Sequence, residues 1–267
     1  MAEKPDPKPG QLAGNSPRDG NEIWPELIRR IRDRTPARIL SGRAGAAYRT
    51  ATQMELREAH AAARDAVEAE LDLNRDLGRD FIERWKLFEV STHATSKQEY
   101  LLRPDLGRGL SNSARELVRS RCQSGKQFQI IVGDGLSVTA VSAQVPGLLP
   151  RVQEGARERG WTVGQPFVVR HCRVGILNVV GEILSPEVAV LLIGERPGLA
   201  TAESLSAYLA YRPRHDHTDA DRNLISNLHS RGIGPEEAAR RILDLAAQMM
   251  QKQISGFQLK EQLAISS

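Results

Sequence analysis

Aromatic side chains make up only 4% of this 267-residue chain, and cysteine occurs twice, at Cys122 and Cys172. So few aromatics leave little on which unpaired bases could stack. Two cysteines cannot build a disulfide scaffold, and neither sits in a metal-ligand spacing, so reduced, buried thiols are expected. No stretch approaches the roughly 20 apolar residues that cross a bilayer, and the N-terminus lacks the apolar core of a signal peptide. The expected localisation is cytoplasmic, with no membrane partner. There is no Walker phosphate loop, serine elbow, activated cysteine or paired carboxylate set. Charge of one sign is not concentrated either. The net charge is +4 and the sequence pI about 9.3, but acidic residues are interspersed through basic stretches such as Arg151 to Arg159 and Glu236 to Asp244. Without a single-sign stripe, no nucleic-acid partner is expected.

What is present is ordinary globular material, 40% apolar and long enough to bury a sizeable core. Residues 1–22 contain Pro5, Pro7, Pro9 and Pro17 and almost nothing apolar, the composition of a disordered tail. Residues 23–120 read as a helical N-terminal region. It begins with a short basic helix from Glu26 to Arg34, ended by Thr35-Pro36. Helix formers then dominate from Ala51 to Arg84, with a break near Leu77-Gly78. Phe88 to Leu102 is ambiguous, Arg103 to Arg108 is a loop, and a helix follows around Ser113 to Ser120.

The period changes over residues 121–253. Phe128 to Val132 reads as a strand, Gly133-Asp134-Gly135 as a tight turn and Leu136 to Gln144 as a helix, with a second helix after Pro146 from Leu148 to Arg159. Phe167 to Cys172 reads as another strand. Ile176, Val179, Val180, Ile183 and Leu184 then recur at helical spacing until Ser185-Pro186. The six-residue run Val188 to Ile193 needs apolar cover on both faces, the habit of a central parallel strand. Strand, helix and strand make a right-handed βαβ crossover. Ala207 to Tyr211 is a candidate fourth strand, Pro235 to Lys252 is a closing helix, and residues 254–267 read as a C-terminal tail. The fold class expected is α/β with a largely parallel sheet.

In such sheets ligands bind outside the strands' carboxyl ends. The turn Gly194-Glu195-Arg196-Pro197-Gly198 therefore lies at the mouth of a candidate site, with Glu195 either touching a ligand or ion-paired to Arg196 within the turn. Gly133-x-Gly135-x-x-Val138 is a near miss for a dinucleotide fingerprint, with valine where close helix packing needs glycine or alanine. His215-Asp216-His217 with Asp219 and Asp221 has metal-ligand chemistry but a spacing that converges on one ion only if the backbone folds back; a solvated loop explains it better.

Ordered strings along residues 35 to 250 carry a resemblance. They are Thr35-Pro36-Ala37-Arg38-Ile39 with Gly42-Arg43-Ala44-Gly45, Ala63 to Val67, Arg103 to Arg108, Gly133 to Ser137, Val179 to Glu182, Ile193 to Leu199, and Thr218 to Asn223 through Ile225-Ser226-Asn227. Together they closely resemble the small subunit of ethanolamine ammonia-lyases. The resemblance implies an adenosylcobalamin-dependent lyase converting ethanolamine to acetaldehyde and ammonia, with radical chemistry that belongs to the cofactor. It also implies a large TIM-barrel subunit that holds ethanolamine and the adenosyl group. This chain's Rossmann-like domain would cover the cobalamin from the other side. The family's cobalamin contacts carry over to Val174, Glu195 and Leu224; at Leu224 family members usually have cysteine, so a sulfur-specific contact is lost while packing or main-chain contact can survive. No catalytic residue is implied on this chain, and Asp-x-His-x-x-Gly is absent here as in the family, which binds the base-on cofactor. Two other classes stand against this expectation: a nicotinamide-dependent oxidoreductase, from the βα units, and a non-catalytic scaffold or nucleic-acid adaptor, from the pI and the tail.

Overall fold

Alternation within the strands fixes which side chains face which layer. The computed structural model describes residues 26–34, 39, 41–198 and 200–259; the expected tail over 1–22, the Thr35-Pro36 helix end and residues 260–267 lie outside them. Residues up to Gly42 form one unit, in which α1 spans Glu26–Asp33. The second unit begins at Arg43. It opens with a two-stranded antiparallel hairpin, β1 (Arg43–Ala44) and β2 (Ala47–Tyr48). Helices α2 (Thr50–Glu68), α3 (Leu73–Asp76) and α4 (Arg79–Trp85) follow, then strand β3 (Glu89–Ser91) and helices α5 (Lys97–Leu102) and α6 (Asn112–Arg121). Next come β4 (Phe128–Gly133), α7 (Val138–Glu158), β5 (Phe167–Arg170), α8 (Ile176–Leu184) and β6 (Val188–Gly194). The chain then runs through β7 (Leu205–Tyr211), β8 (Asn223–Leu228) and α9 (Pro235–Lys252).

Six strands form one sheet in the order β3-β5-β4-β6-β7-β8. The first three pairings are parallel, and β6–β7 and β7–β8 are antiparallel. The expected α/β class with a mostly parallel sheet is therefore present. On one face Phe128, Ile130 and Val132 of β4 join Val188, Val190 and Leu192 of β6 beneath α7 and α9; on the other, Ile131, Val169, Ala189, Leu191 and Ile193 pack with α6 and α8. The buried run of β6 thus has cover on both faces, as its sequence requires.

Some expectations need correction and others gain detail. α7 is one continuous helix with Pro146 and Pro150 inside it, not two helices broken at Pro146. Each proline removes one backbone donor, but Val141, Val145, Leu148, Leu149 and Val152 are all buried along the same face, and that burial outweighs the local cost. β5, α8 and β6 form a crossover unit between parallel strands, with β4 lying between the two. The ambiguous stretch Phe88 to Leu102, inside the region read as helical, supplies the edge strand β3, which pairs with β5 from Glu89 to Ser91. Asn223 to Leu228, quoted only as a string, is the opposite edge strand, β8. The expected tail also begins with order: Gly256–Gln258 is a 3-10 turn, and Leu259 is buried.

Candidate functional site

The chain leaves β4 for β5 on one side and returns as β6 on the other, so strand order reverses at the β4–β6 seam. An open α/β sheet binds ligands outside such a switch point. A recess of about 360 Å³ lies there, lined by Gly135 and Leu136 after β4, Cys172 to Val174 after β5, Ile193 to Arg196 at the end of β6, and Tyr208 of β7.

Close backbone contact builds the floor of this recess. Gly135 has φ +58, and a side chain there would fall 2.2 Å from the Gly194 carbonyl oxygen. The Leu136 N–H donates to that same carbonyl at 3.0 Å. The glycine turn is thus used to pack two strand ends together, and a donor that a pyrophosphate would need is already engaged. Gly135 thus serves strand packing, which weakens the support for a nicotinamide site beyond what Val138 already does.

Asp134, between the two glycines, is buried and accepts the His171 and Cys172 N–H groups, both at 2.8 Å. It thereby sets the path of the segment that carries Val174. Burial pushes the Asp134 carboxyl up and the nearby Lys97 ammonium down, each opposed by the other's charge. Lys97 Nζ donates to the Gly135 carbonyl at 3.3 Å, and the Tyr100 hydroxyl donates to the Cys172 carbonyl at 2.8 Å. The Arg173 guanidinium lies 4.3 Å from the Tyr100 ring centre, a cation–π contact. Its Nε is buried without a partner.

Glu195 is not paired to Arg196. Its carboxylate accepts the Ser204 hydroxyl at 3.0 Å and the Ser206 hydroxyl, and its N–H donates to the Ser204 carbonyl at 3.0 Å. The turn is therefore fixed by β7, which a reading of the pentapeptide alone could not supply. Leu224 does not line the recess. It pairs across the ladder with Tyr208, which does, so both side chains project from the same sheet face. Leu224 is 48% exposed.

The loop from His215 to Asp221 holds no metal-ligand cluster, and among the described residues there is none elsewhere. Asp221 instead accepts the Thr218 N–H and hydroxyl in a capping box, Asp219 pairs with Arg222, and Arg214 donates to His217 at 3.1 Å.

These features sit in a chain with close relatives. Residues 25–260 match the family described as ethanolamine ammonia-lyase light chain (EutC). The chain belongs to that family. It is 42% identical over 250 residues to the ethanolamine ammonia-lyase small subunit of Clostridium perfringens, an alignment covering 94% of this chain and 81% of that protein. It is 40% identical to the Clostridioides difficile small subunit over 94% and 82% of the two chains, and 39% identical to a Listeria monocytogenes small subunit over 86% and 77%. Membership makes the chain a small subunit of a lyase that acts on ethanolamine, and a small subunit implies a large one. No helix among the described residues is long and apolar enough to cross a membrane.

The sequence did not single out Asp134, Lys97, Tyr100, Arg173, Ser204, Ser206 or Tyr208. The one available signal was the spacing of Ser204 and Ser206, two residues apart at the start of β7 and so on one side of an extended chain.

Proposed function

We propose that this chain covers the cobalamin of an adenosylcobalamin-dependent ethanolamine ammonia-lyase, through a Rossmann-like domain facing a large TIM-barrel subunit. The observation that carries the proposal is that Val174 and Glu195 line one recess at the switch point while Leu224 stands on the same sheet face beside Tyr208. A recess of about 360 Å³ is small for a whole corrinoid, and the half-buried Tyr208 and exposed Leu224 extend it as an open apolar face. Such a face suits one side of a flat macrocycle whose other side a partner covers. The buried, unpartnered Nε of Arg173, at the recess wall, is a donor available to a polar substituent.

When bound, adenosylcobalamin supplies hydrogen-abstracting radical chemistry through homolysis of its cobalt–carbon bond. This chain's own residues bind and orient. Glu195, anchored by two serines, holds the β6 turn at a fixed height. Asp134 holds the Val174 segment through two backbone donors. Gly135 and Gly194 let the two strand ends approach closely at the seam. On this reading the elimination of ammonia belongs to the large subunit.

The decisive experiment measures acetaldehyde release by the purified chain, by the large subunit, and by the two together, each with adenosylcobalamin. Activity is expected only from the combination. Steady turnover by this chain alone would assign it the wrong role. Retention of the complex within a microcompartment fraction would place it in such a compartment.

A further inference from the structure

A second cavity, of about 510 Å³, opens beside the recess, lined by Arg108, Arg115, Glu182, His217, Asp219 and Arg222 among others. The two are one residue apart, since Val174 lines the first and Gly175 the second. The side chain of Arg222 is only 4% exposed, yet its hydrogen bonding is incomplete. One terminal nitrogen faces the Asp219 carboxylate, the other donates to Asn178 Oδ1 at 2.8 Å, and Nε is buried with no partner. Burial pushes this guanidinium below its usual pKa, and the charge of nearby Arg108 pushes the same way.

Arg115 is engaged by Glu182 at 3.1 Å. Arg108 has no ion pair among the described residues, and its stem lies over Gly175, where an added methyl would come 2.9 Å from Cγ. Helix α8 also starts here, with no side chain capping it. Its first N–H groups are taken by turn carbonyls, as Leu177 to Val174 at 3.2 Å and Asn178 to Gly175 at 3.1 Å, so the helix contributes its field and no free donors. Two mutually repelling guanidiniums, one of them desolvated with an unused donor, are stabilised by an oxyanion placed between them. Asp219 already offers a carboxylate and leaves that donor unused. An anion with more acceptor oxygens, such as a phosphate ester, can engage both arginines.

We infer that the Arg108–Arg222 cavity binds a phosphate-ester oxyanion and, resting on the cobalamin reading above, that it takes the phosphodiester of the cofactor's nucleotide arm while the recess takes the corrin face. The test uses the complex of the full chain with its large subunit and measures affinity for aquacobalamin and for cobinamide, which keeps the corrin but lacks the nucleotide arm and its phosphate. Arg108→Gln, at an exposed position, and Arg222→Lys should each weaken cobalamin binding about 10- to 100-fold, the loss of one charge-assisted hydrogen bond, and leave cobinamide affinity unchanged.

Equal loss of both corrinoids, or no loss of either, overturns the placement of the nucleotide arm. Phosphorus NMR line broadening of inorganic phosphate by the full chain separates the sources. If the wild-type complex binds neither corrinoid, the cobalamin reading fails, and broadening that Arg108→Gln abolishes still supports an oxyanion site. If cobalamin affinity survives in both variants while broadening is lost, the site belongs to free phosphate. Absence of broadening in the wild-type chain, together with corrinoid affinities indifferent to both substitutions, overturns the inference altogether.

Discussion

Glu195 is tied to the neighbouring strand by its own side chain. Both of its oxygens are held by serine hydroxyls from the start of β7. Glu195→Gln keeps the shape and one acceptor oxygen, and its amide can donate to a serine that then turns its own proton away. It should weaken cobalamin binding by about 1–3 kcal/mol and leave turnover at saturating cofactor largely intact. Apparent affinity and saturated turnover, measured separately in the assembled enzyme, decide this. A collapse of turnover at unchanged affinity would place Glu195 in the chemistry. The two cysteines are held as neutral thiols by their surroundings. Burial pushes the Cys122 thiol up to about 12 and the Cys172 thiol well above its usual value, with the Asp134 charge adding to the latter. Neither should react with a disulfide reagent at pH 8 in the native protein, and both should react after denaturation; a rapid native-state reaction would show that one of them is accessible.

Among the elements, the β4–β6 seam is the one on which the site depends. Gly135 sits in left-handed backbone and its missing side chain is what lets the Gly194 carbonyl approach. Gly135→Ala should destabilise the fold by about 1–3 kcal/mol through overpacking, with further backbone strain at the positive φ. Gly160 supplies the control, since its φ is +78 but nothing lies within 4 Å of an added methyl. Gly160→Ala then reports backbone strain alone. Equal shifts in denaturation midpoint for the two variants would mean that the seam contact is not the cause. α7 makes the complementary point. Its two prolines would break an isolated helix, and it persists because nine of its residues are buried.

For the whole molecule, the two sheet faces differ in how far they are covered. α7 and α9 cover one face out to Leu205, Leu209 and Ile225 on β7 and β8, while α6 and α8 leave Tyr208 half-buried and Leu224 exposed on the other. That asymmetry is what a subunit needs if a cofactor and a partner complete its surface. The family match starts at residue 25, so the first 22 residues lie outside the span of the family match. Deleting residues 1–22 should leave the denaturation midpoint and the turnover of the assembled enzyme unchanged. A truncated chain that folds and assembles but has lost turnover would give that segment a functional role.

The sequence by itself determined the α/β class, the strands near residues 128, 167 and 188, the helices after Ile176 and Pro235, and the family. Those signals are local: unbroken apolar runs, helical spacing and ordered strings of residues. It also pointed to the Glu195 turn, because a strand's carboxyl end is recognisable without its neighbours. Only the tertiary structure decided that Glu195 answers to Ser204 and Ser206 rather than to Arg196, that β4 separates β5 from β6, and that Asp134 fixes the Val174 segment from 37 and 38 residues away. It alone set Leu224 opposite Tyr208, 16 positions earlier, by the register of two antiparallel strands. Hydrogen bonds and pairings between distant segments leave no period in the sequence, since each requires only that one polar or apolar residue meet another once the core has brought them together.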